Sequence, residues 1–458
     1  MKIHAATALL AGGWADDVLL AIDGAGFIEA VTPGVVDAPP ECERLSDAVI
    51  PGMPNLHSHA FQRAMAGLTE ARGPGEDSFW TWRRQMYAFV ERLTPEQVQD
   101  IAAQLYVEML QAGYSNVGEF HYLHHQADGS PYETRTEMSD RIIAAARETG
   151  IAVTHLPVLY TGNGFGGAPP EAGQRRFLND SDAFAALVED LIGRYRDDAL
   201  VRIGIAPHSL RAVTREQLQH AVDAITRLDP MAPIHIHIAE QTREVEECIA
   251  WSGQRPVQWL LNSIDVDQRW CLVHATYANG AERKRLADGD AVVGLCPTTE
   301  ANLGDGVFSA NEFLADGGRI GIGSDSNVSV SAIEELRLLE YGQRLSHRLR
   351  ALLASDESPS VGRYLYDVAV AGGAQALAQP VGALEVGRRA DLVVLDGDAP
   401  ALVCKSGDAI LDSLVFAGNR DAVKHVMVAG RWRIRDGRHE RGDVIFERYK
   451  HALAALLA

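Results

Sequence analysis

Between residues 49 and 322 the chain repeats one alternation eight times: a short, β-branched apolar run followed by a longer stretch with helical spacing. The runs fall at 49–56, 116–120, 151–159, 201–206, 233–238, 270–273, 291–295 and 319–322. Strands separated by helices lie parallel, and eight parallel strands are the number that closes a (β/α)8 barrel of the TIM type. The stretch at 95–112 fits the outer ring, because Val98, Ile101, Ala102, Leu105 and Met109 recur on one helical face. The alternating region, 49–378, is longer than the ~250 residues of a typical barrel. The excess is expected as insertions at 72–90 and 162–177, where Gly and Pro are frequent.

The two ends of the chain have a different texture. Short apolar strands at 6–10, 18–22 and 26–31 are separated by Gly and Asp turns, and the pattern returns in "GALEVGRRADLVVLDGD" and "VKHVMVAGRWRIRDGR". Both ends are expected to build one small β domain, a β-sandwich from residues 1–48 and 379–445, with the barrel over 49–378 and a closing helix over 446–458. Five cysteines stand singly without a CxxC, which argues against a disulfide framework or thiolate zinc site and for a reducing, cytoplasmic setting. Lys2 precedes a short apolar run, but Gly12 and Gly13 interrupt it before it resembles a signal segment. The excess of 62 Asp+Glu over 42 Lys+Arg, a formal charge of -20, argues against a nucleic-acid or anionic-membrane partner. An anionic small-molecule substrate would need cations placed locally.

The chemistry is written at the strand ends, where side chains of a barrel converge. The first run ends "NLHSHAFQ", and His57 and His59, two residues apart, share one side of an extended segment. An isolated pair of this kind is equally a pair of hydrogen-bonded strand histidines. The fifth run ends "PIHIHIAE", with His235 and His237 on one face and Glu240 three residues beyond His237. His208, His274 and Asp325 close the fourth, sixth and eighth runs. Ionisable side chains gathered this way call for a partner or a metal. Imidazole and carboxylate donors without thiolates suit one Zn2+, with Fe2+ as its competitor. His155 and the cluster His121, His124 and His125 read as packing, and "GNGFGG" lacks the helix that a dinucleotide site requires.

"PGMPNLHSHAFQRAM", "HIHIAEQTREVEEC", "LVHATY", "GIGSDSNVSVSAIEELRLLEYGQRL" and "GALEVGRRADLVVLD" resemble the amidohydrolase superfamily, in its mononuclear deaminase branch, and within it the formimidoylglutamate deiminases of histidine degradation. The resemblance runs from near the N-terminus to about residue 435. It implies that His57, His59, His237 and Asp325 bind the metal, that Asp325 also orients and deprotonates water, and that Glu240 and His274 handle protons. It further implies substrate contacts from Gln62, Arg83, Tyr122, His208 and Arg211, and a homodimer. Binuclear relatives use a lysine-derived bridge, and none of the five lysines stands at a strand end, which favours a single metal.

The implied reaction is hydrolytic deimination of N-formimidoyl-L-glutamate to N-formyl-L-glutamate and ammonia. Arg211, three residues past His208, is suited to a substrate carboxylate because its planar fork binds one bidentately. Arg83, Tyr122 and Gln62 each have an alternative as surface, rim or core residues, and Glu240 could equally open an exposed helix. Two other functions stay open: deamination of a purine, pterin or other amidine-bearing heterocycle, and a catalytically silent barrel serving as a binding module.

Overall fold

The computed structural model describes residues 1–71 and 78–458. Eight parallel strand positions form the barrel: Met53–Ser58, Tyr114–His121, Ala152–Leu159, the broken pair Val201–Ile203 and Ala206–Pro207, Ile234–Ile238, Trp270–His274, Val292–Leu295 and Arg319–Ile322. Bridges from Ile205 to Ile234 and from Ser58 to Asp325 close the circle. The fourth strand breaks at Gly204, where a Cβ would press against the Pro233 carbonyl at 2.5 Å. The expected helix is present as Pro95–Gln111, opened by Thr94, whose hydroxyl accepts from the Gln97 amide. Its five predicted apolar residues are all buried, and Val98, Ile101, Leu105 and Met109 are each worth about 1.5–3 kcal/mol on leaving water entirely.

The single strand expected over 49–56 is two strands. Glu43–Pro51 belongs to a separate sheet, pairing parallel with Lys2–Leu10 and antiparallel with Leu392–Leu395, and the barrel begins only at Met53. Gly52 makes the join, in a position where a Cβ would lie 2.6 Å from Ser115 Oγ. No polar residue marks the break, since the chain is buried on both sides of it.

That separate sheet has eight strands and is built from both ends of the chain. Its N-terminal strands are Lys2–Leu10, Gly13–Ile22, Ile28–Thr32 and Glu43–Pro51, and its C-terminal ones are Leu392–Leu395, Val423–Val428, Arg431–Arg435 and Arg438–His439. It encloses its own apolar core, including Ile3, Val18, Leu20, Val49, Leu392 and Met427. Helix Gly442–Leu457 follows the last strand. The expected insertions lie where Gly and Pro are frequent, the first containing helix Phe79–Val90, although residues 72–77 of that stretch lie outside the described residues. No described helix is long and apolar enough to cross a membrane.

The floor of the barrel is plugged from below. Leu377 joins Leu56, Cys271 and Val273 in a buried cluster. Thr154 Oγ1 donates to the Leu377 carbonyl at 2.8 Å, and a His235 ring nitrogen lies 2.7 Å from the Ala376 carbonyl. The helix carrying this plug, Val361–Ala376, packs so closely that a Cβ at Gly372 would collide with the Ile320 carbonyl.

Barrel and sheet are tied by a buried polar knot. Arg389, 1% exposed, pairs bidentately with Asp391 at 2.8 and 3.0 Å and donates to Gln379 Oε1 at 2.9 Å and to Asn116 of the second barrel strand. Asn116 in turn donates to Asp391 at 2.9 Å. Removing one partner of such a pair leaves a buried charge uncompensated. Arg389→Ala is therefore expected to cost about 3–5 kcal/mol of stability, seen as a lower midpoint in denaturant titration. A loss below about 1 kcal/mol, the range of exposed pairs, would show that the knot carries little.

Candidate active site

The first and eighth strands meet at the residues singled out by the sequence. The Asp325 amide donates to the His57 carbonyl at 3.0 Å, and the His59 amide donates to the Asp325 carbonyl at 2.9 Å. This reciprocal pair brings the Nε2 atoms of His57 and His59 to 3.4 and 3.3 Å from Asp325 Oδ1. His237 arrives from the fifth strand, its Nε2 3.0 Å from that of His57. One ligand atom from each of His57, His59 and His237 lies within 4.8 Å of the others. Asp325 and His274 reach the centre on backbone turned through φ of +46° and +68°, a left-handed conformation costly for residues with a Cβ. Asn327 buttresses the turn by donating to the Asp325 carbonyl at 2.9 Å and the His59 carbonyl at 3.1 Å.

This cluster fits a divalent cation. Burial depresses the basicity of His57, to about 3, and lowers that of His59 and His237, so all three are neutral donors at physiological pH. His59 Nδ1 lies 2.9 Å from the Phe120 carbonyl, which fixes the proton there and leaves Nε2 as a lone pair facing the cluster. Burial alone would raise Asp325, but hydrogen bonding with His57 and the neighbouring histidines hold its carboxyl well below the usual range. Neutral imidazoles around an ionised carboxylate are the donor set of zinc and similar ions. None of the five lysines lines the cleft above.

Glu240 and His274 form a second layer. Glu240 is 5% exposed and precedes helix Thr242–Ser252, so it is not a surface helix-start residue. Its Oε1 lies 3.8 Å from His274 Nε2, and burial pushes its carboxyl up to about 7 against the pull of His274 and Arg211. Burial would depress His274, yet Glu240, Glu300 and Asp325 together push it up to about 10. The Asp325 contact is made through Oδ2 at 3.7 Å.

Above these groups opens a cleft of about 570 Å³ whose wall includes His59, His237, Glu240, His274 and Asp325, with the five expected substrate contacts Gln62, Arg83, Tyr122, His208 and Arg211. Only His57 sits beneath it, fully buried. Gln62 Nε2 donates to the Tyr122 hydroxyl at 2.8 Å, which ties the turn after the first strand to the end of the second. His208 and Arg211 follow the fourth strand, and Arg83 enters from helix Phe79–Val90. Tyr87, Tyr160 and Phe177 supply further aromatic wall.

Two buried carboxylates beside the cluster carry no strand-end signature. Glu300 Oε1 lies 3.2 Å from His274 Nδ1 and accepts from the Cys296 amide at 2.9 Å, but it projects from helix Pro297–Leu303 rather than a strand end. Glu244 accepts the Ala239 and Glu240 amides at 3.1 and 3.2 Å; its place four residues past Glu240, at a helix start, is the signal that could have found it. The glycine-rich loop packs against the turn after the fourth strand, where the Gly164 amide donates to the Arg211 carbonyl at 2.7 Å. His124 and His125 bond the Val158 and Leu178 carbonyls at 2.9 and 2.7 Å, and His155 is buried beside His121.

Comparison with known proteins shows the family. Residues 48–433 match the family described as Amidohydrolase family, and residues 1–44 match the one described as Formimidoylglutamate deiminase HutF, N-terminal domain. The formimidoylglutamate deiminase of Pseudomonas aeruginosa is 55% identical over 456 residues, covering 99% of each chain. A solved amidohydrolase from Brucella melitensis is 50% identical and superimposes with a TM-score of 0.93 over the whole of both chains. An adenosine deaminase from Xanthomonas campestris, solved with bound zinc, shares the fold at 22% identity and a TM-score of 0.82, covering 100% of this chain and 98% of its own. With its histidines and aspartate drawn from strand ends of one closed barrel, the chain belongs to the amidohydrolase family.

Proposed function

We propose that this protein hydrolyses N-formimidoyl-L-glutamate to N-formyl-L-glutamate and ammonia. The observation that carries the reading is that one cleft joins the imidazole and carboxylate cluster to two arginines, Arg83 and Arg211, on its wall. The likeness to the Pseudomonas aeruginosa formimidoylglutamate deiminase along nearly the whole chain supports it. A heterocycle deaminase has no use for paired cations, whereas a substrate with two carboxylates does.

His57, His59, His237 and Asp325 are the proposed holders of one divalent ion, zinc in our reading, as in the zinc-bound Xanthomonas campestris structure. When bound, such an ion acts as a Lewis acid and lowers the pKa of water from 15.7 to about 7. Asp325, ionised under its histidine neighbours, accepts a hydrogen bond from the attacking water and orients it. His274, cationic between three carboxylates, directs Nε2–H toward the same water and the oxygen that develops charge. Glu240, poised near neutrality, takes a proton from water and delivers it to the imino nitrogen as the C–O bond forms. It then carries the proton of the new hydroxyl to the same nitrogen as the C–N bond breaks, so that one water is consumed and ammonia leaves. Arg211 and Arg83 hold the glutamate carboxylates, while Gln62, Tyr122 and His208 contact the polar chain between them and the reacting carbon. We place the enzyme in the cytoplasm, in keeping with five unpaired cysteines, and as a homodimer.

Ammonia release should be rapid from N-formimidoyl-L-glutamate and absent from adenine, guanine, cytosine and their nucleosides; the reverse ranking would overturn the substrate. Metal analysis should find a single equivalent per chain. Glu240→Gln is expected to keep that metal while losing about a hundredfold to ten-thousandfold in kcat, the worth of a positioned acid-base group. Near-normal turnover would remove Glu240 from proton transfer. Arg211→Ala should cost about 2–5 kcal/mol in kcat/KM, as for a buried charge pair losing one member. A change of less than a few fold would place the substrate carboxylate elsewhere.

A further inference from the structure

We propose that Trp80 is a positioning residue: its indole holds the arginines at the carboxylate end of the cleft in the plane required to grip a dianionic substrate. This rests on the substrate reading above and adds a residue that touches neither substrate nor metal cluster. Trp80 lies on helix Phe79–Val90, outside the reaction cleft. It lines an adjoining cavity of about 650 Å³ that shares Arg83 and Arg211 with the cleft and is also bordered by Arg243 and Glu247.

Three guanidinium groups meet at this one ring. Their central carbons stand 4.8 Å (Arg83), 5.6 Å (Arg211) and 4.5 Å (Arg243) from its centroid. They come from three separate segments: the insertion after the first barrel strand, the turn after the fourth, and the helix after the fifth. Like charges brought together repel, and the negative face of an indole is the group that attracts each of them. The mode of holding matters as much. A carboxylate partner occupies the N–H donors of the guanidinium fork, whereas a ring face fixes its plane and leaves the edge donors for a ligand. Arg211 has Glu240 and Glu244 only at 3.8 and 3.9 Å. Arg83 lies over Tyr87 as well, at 5.5 Å. Arg243 pairs closely with Glu247, at 2.6 Å, and so serves as the outer anchor of the stack.

The test compares Trp80→Leu and Trp80→Tyr with the wild type, using formimidoylglutamate turnover and calorimetric titration with L-glutamate as a non-reacting dicarboxylate probe. Trp80→Leu, which keeps an apolar side chain but no π face, is expected to raise KM and the L-glutamate dissociation constant on the order of tenfold, with kcat within about threefold of the wild type. Trp80→Tyr, which restores a ring, is expected to recover most of both. If the wild type turns over the substrate and Trp80→Leu keeps its KM, or if Trp80→Tyr is as impaired as Trp80→Leu, the positioning role is overturned while the substrate reading stands. A wild type that neither releases ammonia nor binds L-glutamate overturns the substrate reading, and this inference with it.

Discussion

Closure of the first barrel strand against the eighth is the constraint on which the rest depends. Two backbone hydrogen bonds, from Asp325 to His57 and from His59 back to Asp325, seal the barrel at the level where the ligand-type side chains stand. The same bonds that complete the cylinder thus set the spacing of three of the four groups proposed to hold a metal. Asn55, Ser324 and Asn327 extend the seam, with Asn55 donating to Ser324 Oγ at 2.7 Å and Ser324 donating to Asn327 at 2.6 Å. Buried side-chain networks of this kind are stabilising only when every member is satisfied. Here that requirement and the geometry of the site are one demand.

The electrostatics run from the floor of the cleft to its mouth. At the floor, burial keeps His57, His59 and His237 neutral, and those rings sit beside a carboxylate kept ionised by its hydrogen bond with His57 and by the positive charge of His274. One layer up, burial pushes Glu240 up to about 7 against the pull of His274 and Arg211, while Glu240, Glu300 and Asp325 push His274 up to about 10 against its own burial. At the mouth, arginines reverse the sign of a chain whose formal charge is -20. Such a reversal has to be local, because beyond a Debye length of about 8 Å salt screens the acidic surface.

Much of this was legible in the sequence because strand ends and ligand chemistry coincide. His57, His59, His237, Glu240, His274 and Asp325 each stand at or just past the end of an apolar run, and the runs number eight. Where the reading failed, the periodicity carried no mark. Two consecutive strands read as one across Gly52, since the buried stretch Val49–Pro51 that ends the first runs straight into Met53 of the second and the two differ only in their partners. Glu300 and Glu244 were missed because their role depends on what the fold places opposite them, and one sits within an ordinary helix start. Trp80 belongs to an insertion whose position over the cleft no local pattern specifies. The left-handed backbone at His274 and Asp325 was equally invisible, as neither residue type demands it.

The sheet made from both ends of the chain has a temporal meaning. Strand Glu43–Pro51 pairs on one side with Lys2–Leu10, which precedes it in the chain, and on the other with Leu392–Leu395, which a ribosome delivers only after the whole barrel has been made. Throughout that interval one edge of this strand is unpaired, and an unpaired edge is a template for association with other chains. The early strand pair is therefore a nascent-chain liability until Leu392–Leu395 emerges to cover that edge.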